Sequence, residues 1–400
     1  MKKINLLVIL LLFAGYFSMA QQTACYKDVE YTLVSLKQVP KARTMMEEKC
    51  FPGNESNADV WLLRGNVFIR LHENEQDRYN KEPNKYVIRF PDAVVTANES
   101  FYKALELKKD IKPNAGLLGP KDGQVLSADI INNMAKDAFL KKDYNEAIKL
   151  YNLVVRSFKV DIKEYGIFLA YAYSDLADCY KAAGDDENYK KLLLEAAKLN
   201  VADPYIYLSI YDIYKQERDT VKCGEILTQA RKIIPDSIAI DVKGYELDYF
   251  AMMGDSTKLI NAAVAMYEQN KNNIEVIKLV STHLINNKEY TLAREMIDAG
   301  LKLVPNDFDL TQLMGYAFNS EALDYFNKTE ELKSLKKYTP ALEYRDKYME
   351  TYKLALPWAE KAYQINAEDR DNNIMLQRIY VRLEMEVPAE LKEKVDSYYR

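Results

Sequence analysis

"ILTQARKIIPD" at residues 226–236 and "MIDAGLKLVPN" at residues 296–306 read as one helix ending written twice. The small residue Cys223 is followed four on by Leu227, three on by Ala230 and five on by Pro235. The same steps run from Ala293 through Ile297 and Gly300 to Pro305. Steps of three and four keep side chains on one face of an α-helix. A proline just beyond it cannot continue the hydrogen-bond ladder. Shorter versions recur as Ala97, Phe101 and Ala104, as Ala147, Tyr151 and Val154, and as Ala355, Ala359 and Ala362. Self-similarity of this kind is the mark of stacked supersecondary units.

Each ending has a partner helix before it. "WLLRGNVF" spaces Trp61, Gly65 and Phe68 by four and three, and "LMGYAF" repeats the relation with Gly315 and Phe318. "LADCY" offers Ala177 and Tyr180, while "YLSIYDIY" carries Tyr207, Ile210, Tyr211 and Tyr214. Short turns separate the two helices, as in "KKDYNEA" and "NNKEYTLA". The small residues allow close helix–helix approach, and the large ones fill the groove of the next pair.

This pattern resembles the tetratricopeptide repeat (TPR), a helix–turn–helix of about 34 residues with W-x2-L-G-x2-Y in its first helix. The resemblance covers roughly residues 57–382, in about seven units. It implies an all-α superhelical solenoid of antiparallel helix pairs, with strand nearly absent. Expected boundaries are a leader at 1–20, a helical hairpin at 21–56, the TPR array at 57–366 and capping helices at 367–400. Long insertions are expected at 73–96 and 321–352. The second should form an extended helical hairpin, turning near "KKYTPA" with Thr339 as cap and Pro340 opening the return helix. Pro357 should kink that helix.

Composition bounds the function. Lys, Arg, Asp and Glu make up 29% of the chain with both signs interspersed, and no basic tract suited to nucleic acid is visible. "MKKINLLVILLLFAGYFSMAQQ" sets Lys2 and Lys3 before an apolar run and then Ser18-Met19-Ala20. That is the order of a secretory signal peptide, too short for a membrane span of roughly 20 apolar residues. Its removal after Ala20 takes two lysines and no acid, moving the formal net charge from −5 to −7. No second apolar run is long enough to span a membrane. The expected location is the periplasm or cell envelope of a Gram-negative bacterium. A lipid-bearing Cys25 is the weaker alternative, because "QTAC" lacks the leucine of a lipobox.

Export permits disulfides. Cys25 and Cys50 flank a stretch in which residues 38–41 read as a hairpin turn, so the two thiols can meet at its open end. Two free thiols packed as small apolar groups are the plainer alternative. Cys179 and Cys223 fall within repeats and read as core.

Catalytic chemistry is not visible. There are two histidines, His72 and His283, and "HENEQ" lacks the second histidine of a zinc-protease helix. No G-x-S-x-G, phosphate-cradling glycine loop or C-x-x-C occurs. The expectation is a non-enzyme with no cofactor and no metal. The sequons at Asn54, Asn98 and Asn327 read as chance matches.

Tyrosine is abundant, 31 of 400 residues, and most copies sit at packing steps. Beside the packing stripe of the first helices runs a second stripe. It holds Tyr171, Asp178 and Lys181 in one repeat, Tyr205, Asp212 and Lys215 in the next, and Asp248 in the third. An acidic column flanked by tyrosines suits a protein or peptide partner of basic or amide-rich character. A solvated face is the plainer reading, since Asp178–Lys181 and Asp212–Lys215 are ordinary i,i+3 pairs. Some TPR proteins hold carboxyl-terminal peptides with a lysine and asparagine clamp, and an acidic column has the wrong sign for that ligand. The resemblance implies a protein-interaction scaffold working through its concave face. The alternative is glycan binding, as in helical starch-utilisation-type envelope lipoproteins with TPR units.

Overall fold

The computed structural model describes residues 24–399; the leader read at 1–20 lies outside them. The chain divides into two compact units, the first ending at Val201 and the second beginning at Ala202. Among the described residues no strand occurs.

The first unit opens with α1 (residues 24–34) and α2 (Val39–Met45), which runs on as a π-helical turn, Met46–Cys50. Three helix pairs follow: α3 (Ala58–Lys81) with α4 (Ala93–Leu107), α5 (Pro120–Leu140) with α6 (Tyr144–Phe158), and α7 (Ile162–Ala182) with α8 (Asp186–Ala197). The second unit holds α9 (Pro204–Gln216) with α10 (Thr220–Ile233), α11 (Ile240–Met252) with α12 (Ser256–Gln269), and α13 (Ile274–Asn286) with α14 (Tyr290–Leu303). It ends with the long pair α15 (Phe308–Ser334) and α16 (Tyr338–Ile365), then α17 (Arg370–Arg382) and α18 (Ala389–Ser397). Within each unit, successive pairs pack second helix to next first helix.

One turn design joins the helices of most pairs. The first helix ends on a left-handed residue: Lys142, Gly184, Arg218, Gly254, Lys288 or Lys336. The next residue's N–H then closes on a carbonyl five back, as Asp143 does on Ala138, Asp219 on Tyr214 and Glu289 on Leu284. This is a Schellman closure. Asp143, Asp185, Asp219 and Asp255 then serve as N-caps, each accepting from the N–H three residues on. One aspartate thus ends one helix and starts the next.

The second helices also end alike. Ala104, Ala230, Gly300 and Ala362 each give their carbonyl to the N–H four residues on, at 2.8–2.9 Å. All four side-chain positions are buried. A β-carbon on Gly300 would lie 2.8 Å from Leu310 Cδ1 and 3.2 Å from Ile277 Cγ2. The glycine therefore lets α14 press against α13 and α15 together. In the first unit Phe101, fully buried, fits between Gly65 of α3 and Gly123 of α5. A β-carbon on either glycine would enter the ring's van der Waals surface.

The departures are local. α3 runs to Lys81 and α4 starts at Ala93, so the stretch read as an insertion at 73–96 is helical at both ends and irregular over 82–92. Helix α16 starts at Tyr338 with Lys337 as N-cap, and not at Thr339. The cause is the turn: Lys337 N–H closes on Leu332 O, which fixes the start two residues earlier. Pro340 still sits in the first turn, where an N–H needs no helical partner. α16 continues as helix through Pro357. At 27 and 28 residues, α15 and α16 are twice the length of α13 and α14, at 13 and 14. Ala322, Tyr352 and Ala355 are buried along this hairpin, so its length is packed rather than free.

Candidate partner-binding surfaces

In the first unit, α7 carries Tyr171, Asp178 and Lys181. Tyr171 is 44% exposed, and Ile167 and Phe168 beside it are 58% and 56% exposed. These three share the face that α7 leaves uncovered, and the Phe168 ring lies 5.7 Å from that of Phe158. Lys181 donates to Tyr189 Oη at 3.3 Å and sits over the same ring. Asp178 is half-buried. Its neighbour Asp175 is pushed above the ordinary carboxylate range by burial, with Lys136 opposing and Asp178 reinforcing the shift.

In the second unit the structure brings Asp212 and Asp248 to the α9–α11 contact. Tyr211 donates to Asp248 Oδ2 at 2.8 Å, and Lys215 Nζ reaches both oxygens of Asp248 at 2.9 and 2.7 Å. Tyr245 donates in turn to Asp212 Oδ2 at 3.1 Å. The rings of Tyr211 and Tyr245 meet edge-on, 5.2 Å apart. Burial and the Asp212 carboxylate push the Tyr245 hydroxyl up to about 12. Lys215 therefore bonds across to the next pair, where the sequence had matched it with Asp212 on its own helix. The cross-helix site offers a carboxylate already fixed by a tyrosine. These acids join two repeats as well as facing outward. Tyr205, at the start of α9, remains 45% exposed.

Cys25 and Cys50 are joined as a disulfide, with their Cα atoms 5.6 Å apart. It ties α1 to the π-helical end of α2. Cys179 and Cys223 are free and buried.

Sequence reasoning missed two buried polar centres. Glu75 on α3 is 1% exposed. It accepts from Arg89 N and Tyr86 Oη, both at 2.8 Å, and from Arg89 Nη2 at 3.0 Å. Burial disfavours its charge, but those donors outweigh it and hold the carboxyl below its ordinary value. The second is Asn98, fully buried, which donates to Gln124 O, Ser127 Oγ and Ser157 Oγ and accepts from Arg156 Nη2. A side chain so enclosed cannot carry a glycan, so the sequon there is a coincidence of letters. The only hint in the sequence was a polar residue beside the packing steps Ala97 and Phe101. Its partners lie 26 to 59 residues away.

No helix among the described residues is long and apolar enough to cross a membrane. No family model and no curated protein matches the sequence. Among solved structures, the chain is similar to yeast Tom70, with 12% identity, covering 94% of this chain and 87% of that one, at TM-score 0.39. It is similar to the C-terminal part of a TPR repeat-containing protein from Cytophaga hutchinsonii, with 17% identity, 66% and 98% coverage and TM-score 0.37. For the TPR2AB domain of yeast Sti1, solved as a complex with pHSP90, the values are 15%, 82% and 99%, and 0.25. Likeness this distant attaches no ligand to the chain, and the fold assignment rests on the chain's own geometry. Helix pairs recurring with one turn chemistry, one C-terminal closure and small residues at the helix contacts give the chain an all-α fold of stacked antiparallel helix pairs of the TPR type.

Proposed function

We propose that the chain is a non-catalytic, exported scaffold that binds a protein or extended peptide through the exposed faces of its first helices, the faces expected to be concave. The observation that carries this reading is the trio Ile167, Phe168 and Tyr171, large apolar side chains more than two-fifths exposed on one face of α7. A repeat fold buries its apolar surface between neighbours. Apolar side chains grouped outside that packing mark a contact surface, and aromatic ones contribute most to binding where a partner desolvates them. Tyr205 offers a similar contact on α9. The acids Asp178, Asp212 and Asp248 favour a basic or amide-rich partner, with Lys181 and Lys215 orienting side chains around them. Residues 1–22 support export to the periplasm or envelope, as does the Cys25–Cys50 bond, which suits an oxidising compartment.

The test is capture of a partner from envelope extract by the mature protein, its identification, and affinity measurement with variants. Phe168→Ala with Tyr171→Ala should weaken binding about tenfold or more. Asn at positions 178, 212 and 248 should cost severalfold and flatten the salt dependence. Loss of binding through changes at Tyr325 and Leu335 of the α15–α16 hairpin, with neither set having an effect, would move the docking site to that hairpin.

A further inference from the structure

A cavity of about 570 Å³ opens in the first unit where α4, α5 and α6 meet. Its lining includes Lys109, Lys121, Gln124, Arg156 and Lys159. Glu106 and Asp110 also lie on it, so the formal balance is two positive charges, in a chain whose net charge is −5. Glu106 is already paired with Lys103 at 2.5 Å.

Two buried donors mark this cavity. Gln124 is 1% exposed, and its Nε2 has no hydrogen-bond partner. Arg156 Nε is also buried without one. Buried polar groups are normally paired, because an unmade bond forfeits the group's hydration. The Arg156 side chain is positioned by its neighbours rather than loosely placed. Arg156 Nη2 donates to Asn98 Oδ1 at 3.2 Å, and the guanidinium lies 4.2 Å from the centre of the Tyr102 ring. Asn98 is fixed in turn by Gln124 O, Ser127 and Ser157. Burial pushes the Arg156 guanidinium below its ordinary value, with Glu99, Tyr102 and Glu106 opposing.

The geometry adds a helix terminus. Lys121 and Gln124 stand in the opening turns of the 21-residue α5, whose N-cap Gly119 contributes no side-chain acceptor. The positive end of the helix dipole thus meets lysines, a guanidinium and an unpaired amide donor. Asp122 in the first turn of α5 and Asp161, 3.8 Å from Lys121, answer part of this positive charge, and the remaining donors ask for an anion with several acceptors. Donors come from α5 (Lys121, Gln124), from α6 (Arg156) and from the segments just beyond α4 and α6 (Lys109, Lys159), which suits a tetrahedral anion with several oxygens better than a planar carboxylate with two.

We propose that this cavity binds a phosphoryl dianion, free or as the head of a larger molecule. Gln124 and Arg156 form its floor, and Lys109, Lys121 and Lys159 form its rim. The cavity shares no lining residue with the α7 surface proposed for a protein partner.

The experiment titrates the mature protein with inorganic phosphate in phosphate-free buffer, reading heat and Tm, with chloride at matched ionic strength as control. Phosphate should bind saturably and raise Tm where chloride does not. Lys121→Ala with Lys159→Ala should weaken it about tenfold. Gln124→Glu, which puts an acid on the floor, should abolish it. Lys149→Ala, on the outer side of α6, should leave it unchanged. Co-sedimentation with vesicles containing phosphatidic acid forms the second arm. Capture lost in the same variants assigns the dianion to a lipid headgroup, whereas a response to phosphate alone assigns it to a soluble ligand. A far-UV spectrum of each variant checks that the fold survives. No response in either arm, or an equal response in Lys121→Ala with Lys159→Ala, overturns the proposal and leaves the two donors to internal water.

Discussion

Three donors from the segment after α3 converge on the carboxylate of Glu75, which is 1% exposed. It is the anchor by which residues 82–92 fold back on α3, and nothing about "HENEQ" distinguishes it from its half-buried neighbours. Glu75→Gln keeps the shape and removes the charge. Hydrogen bonds to charged groups contribute about 1.5–3 kcal/mol each, with the bonds of one acceptor not additive. The expected loss is therefore about 2–3 kcal/mol, concentrated locally. Hydrogen exchange should show the Arg89 amide losing protection while α13 and α14 are unchanged. The sign with pH is set: the folded carboxyl titrates below its ordinary value. Its stabilisation is whole above that ordinary value and is lost as pH falls through the depressed one. Unchanged protection at Arg89 in the variant would mean that apolar packing, not Glu75, holds the insertion.

The helix–helix turns allow a test at the scale of the element. Gly254 lies at φ 66° with nothing within 4 Å of where a β-carbon would stand. Gly254→Ala should therefore report backbone strain alone, a loss of about 1 kcal/mol. Lys142 holds the equivalent place at φ 63° between α5 and α6. Lys142→Gly should shift stability the other way, by about 0.5 kcal/mol, since relief of left-handed strain exceeds the entropy glycine adds to the unfolded chain. Opposite signs in Tm would confirm one shared turn; a stabilised Gly254→Ala would refute it. The opening hairpin is held differently. A disulfide closing about 25 residues is worth about 3 kcal/mol in the chain-entropy model. Thiol labelling of unreduced, unfolded protein from its native compartment should modify two cysteines, Cys179 and Cys223. Labelling of all four would show Cys25 and Cys50 unpaired there.

For the molecule as a whole, the two histidines set the response to mild acid. Burial pushes both His72 and His283 below the ordinary histidine value; Glu73 opposes the shift at His72, and at His283 Asp248 opposes while Lys215 adds to it. Each is held neutral when folded. Their contribution is complete above the ordinary value and is lost as pH falls below it toward the depressed one. Tm should drop between about pH 7 and 5, with a smaller slope in His72→Gln and His283→Gln together. An unchanged slope would place the acid response on the carboxylates. The helix pairs, their turns and the hairpin at 308–365 were legible from residue spacing, because the pairs follow from contacts within some 34 residues of chain and the hairpin carries the same three-four spacing further along two neighbouring helices. Asp143, Ala230 and Gly300 act through their own helix and the one beside it, so local order along the chain determines them. The Glu75 clamp, the Asn98 network and the bond from Tyr211 to Asp248 were not legible. They join side chains of different helices, and a buried polar group reveals its partner only when packing brings the two together. Spacing decided which faces are buried; the tertiary structure alone decided which polar atoms meet inside them, and which stay unpaired.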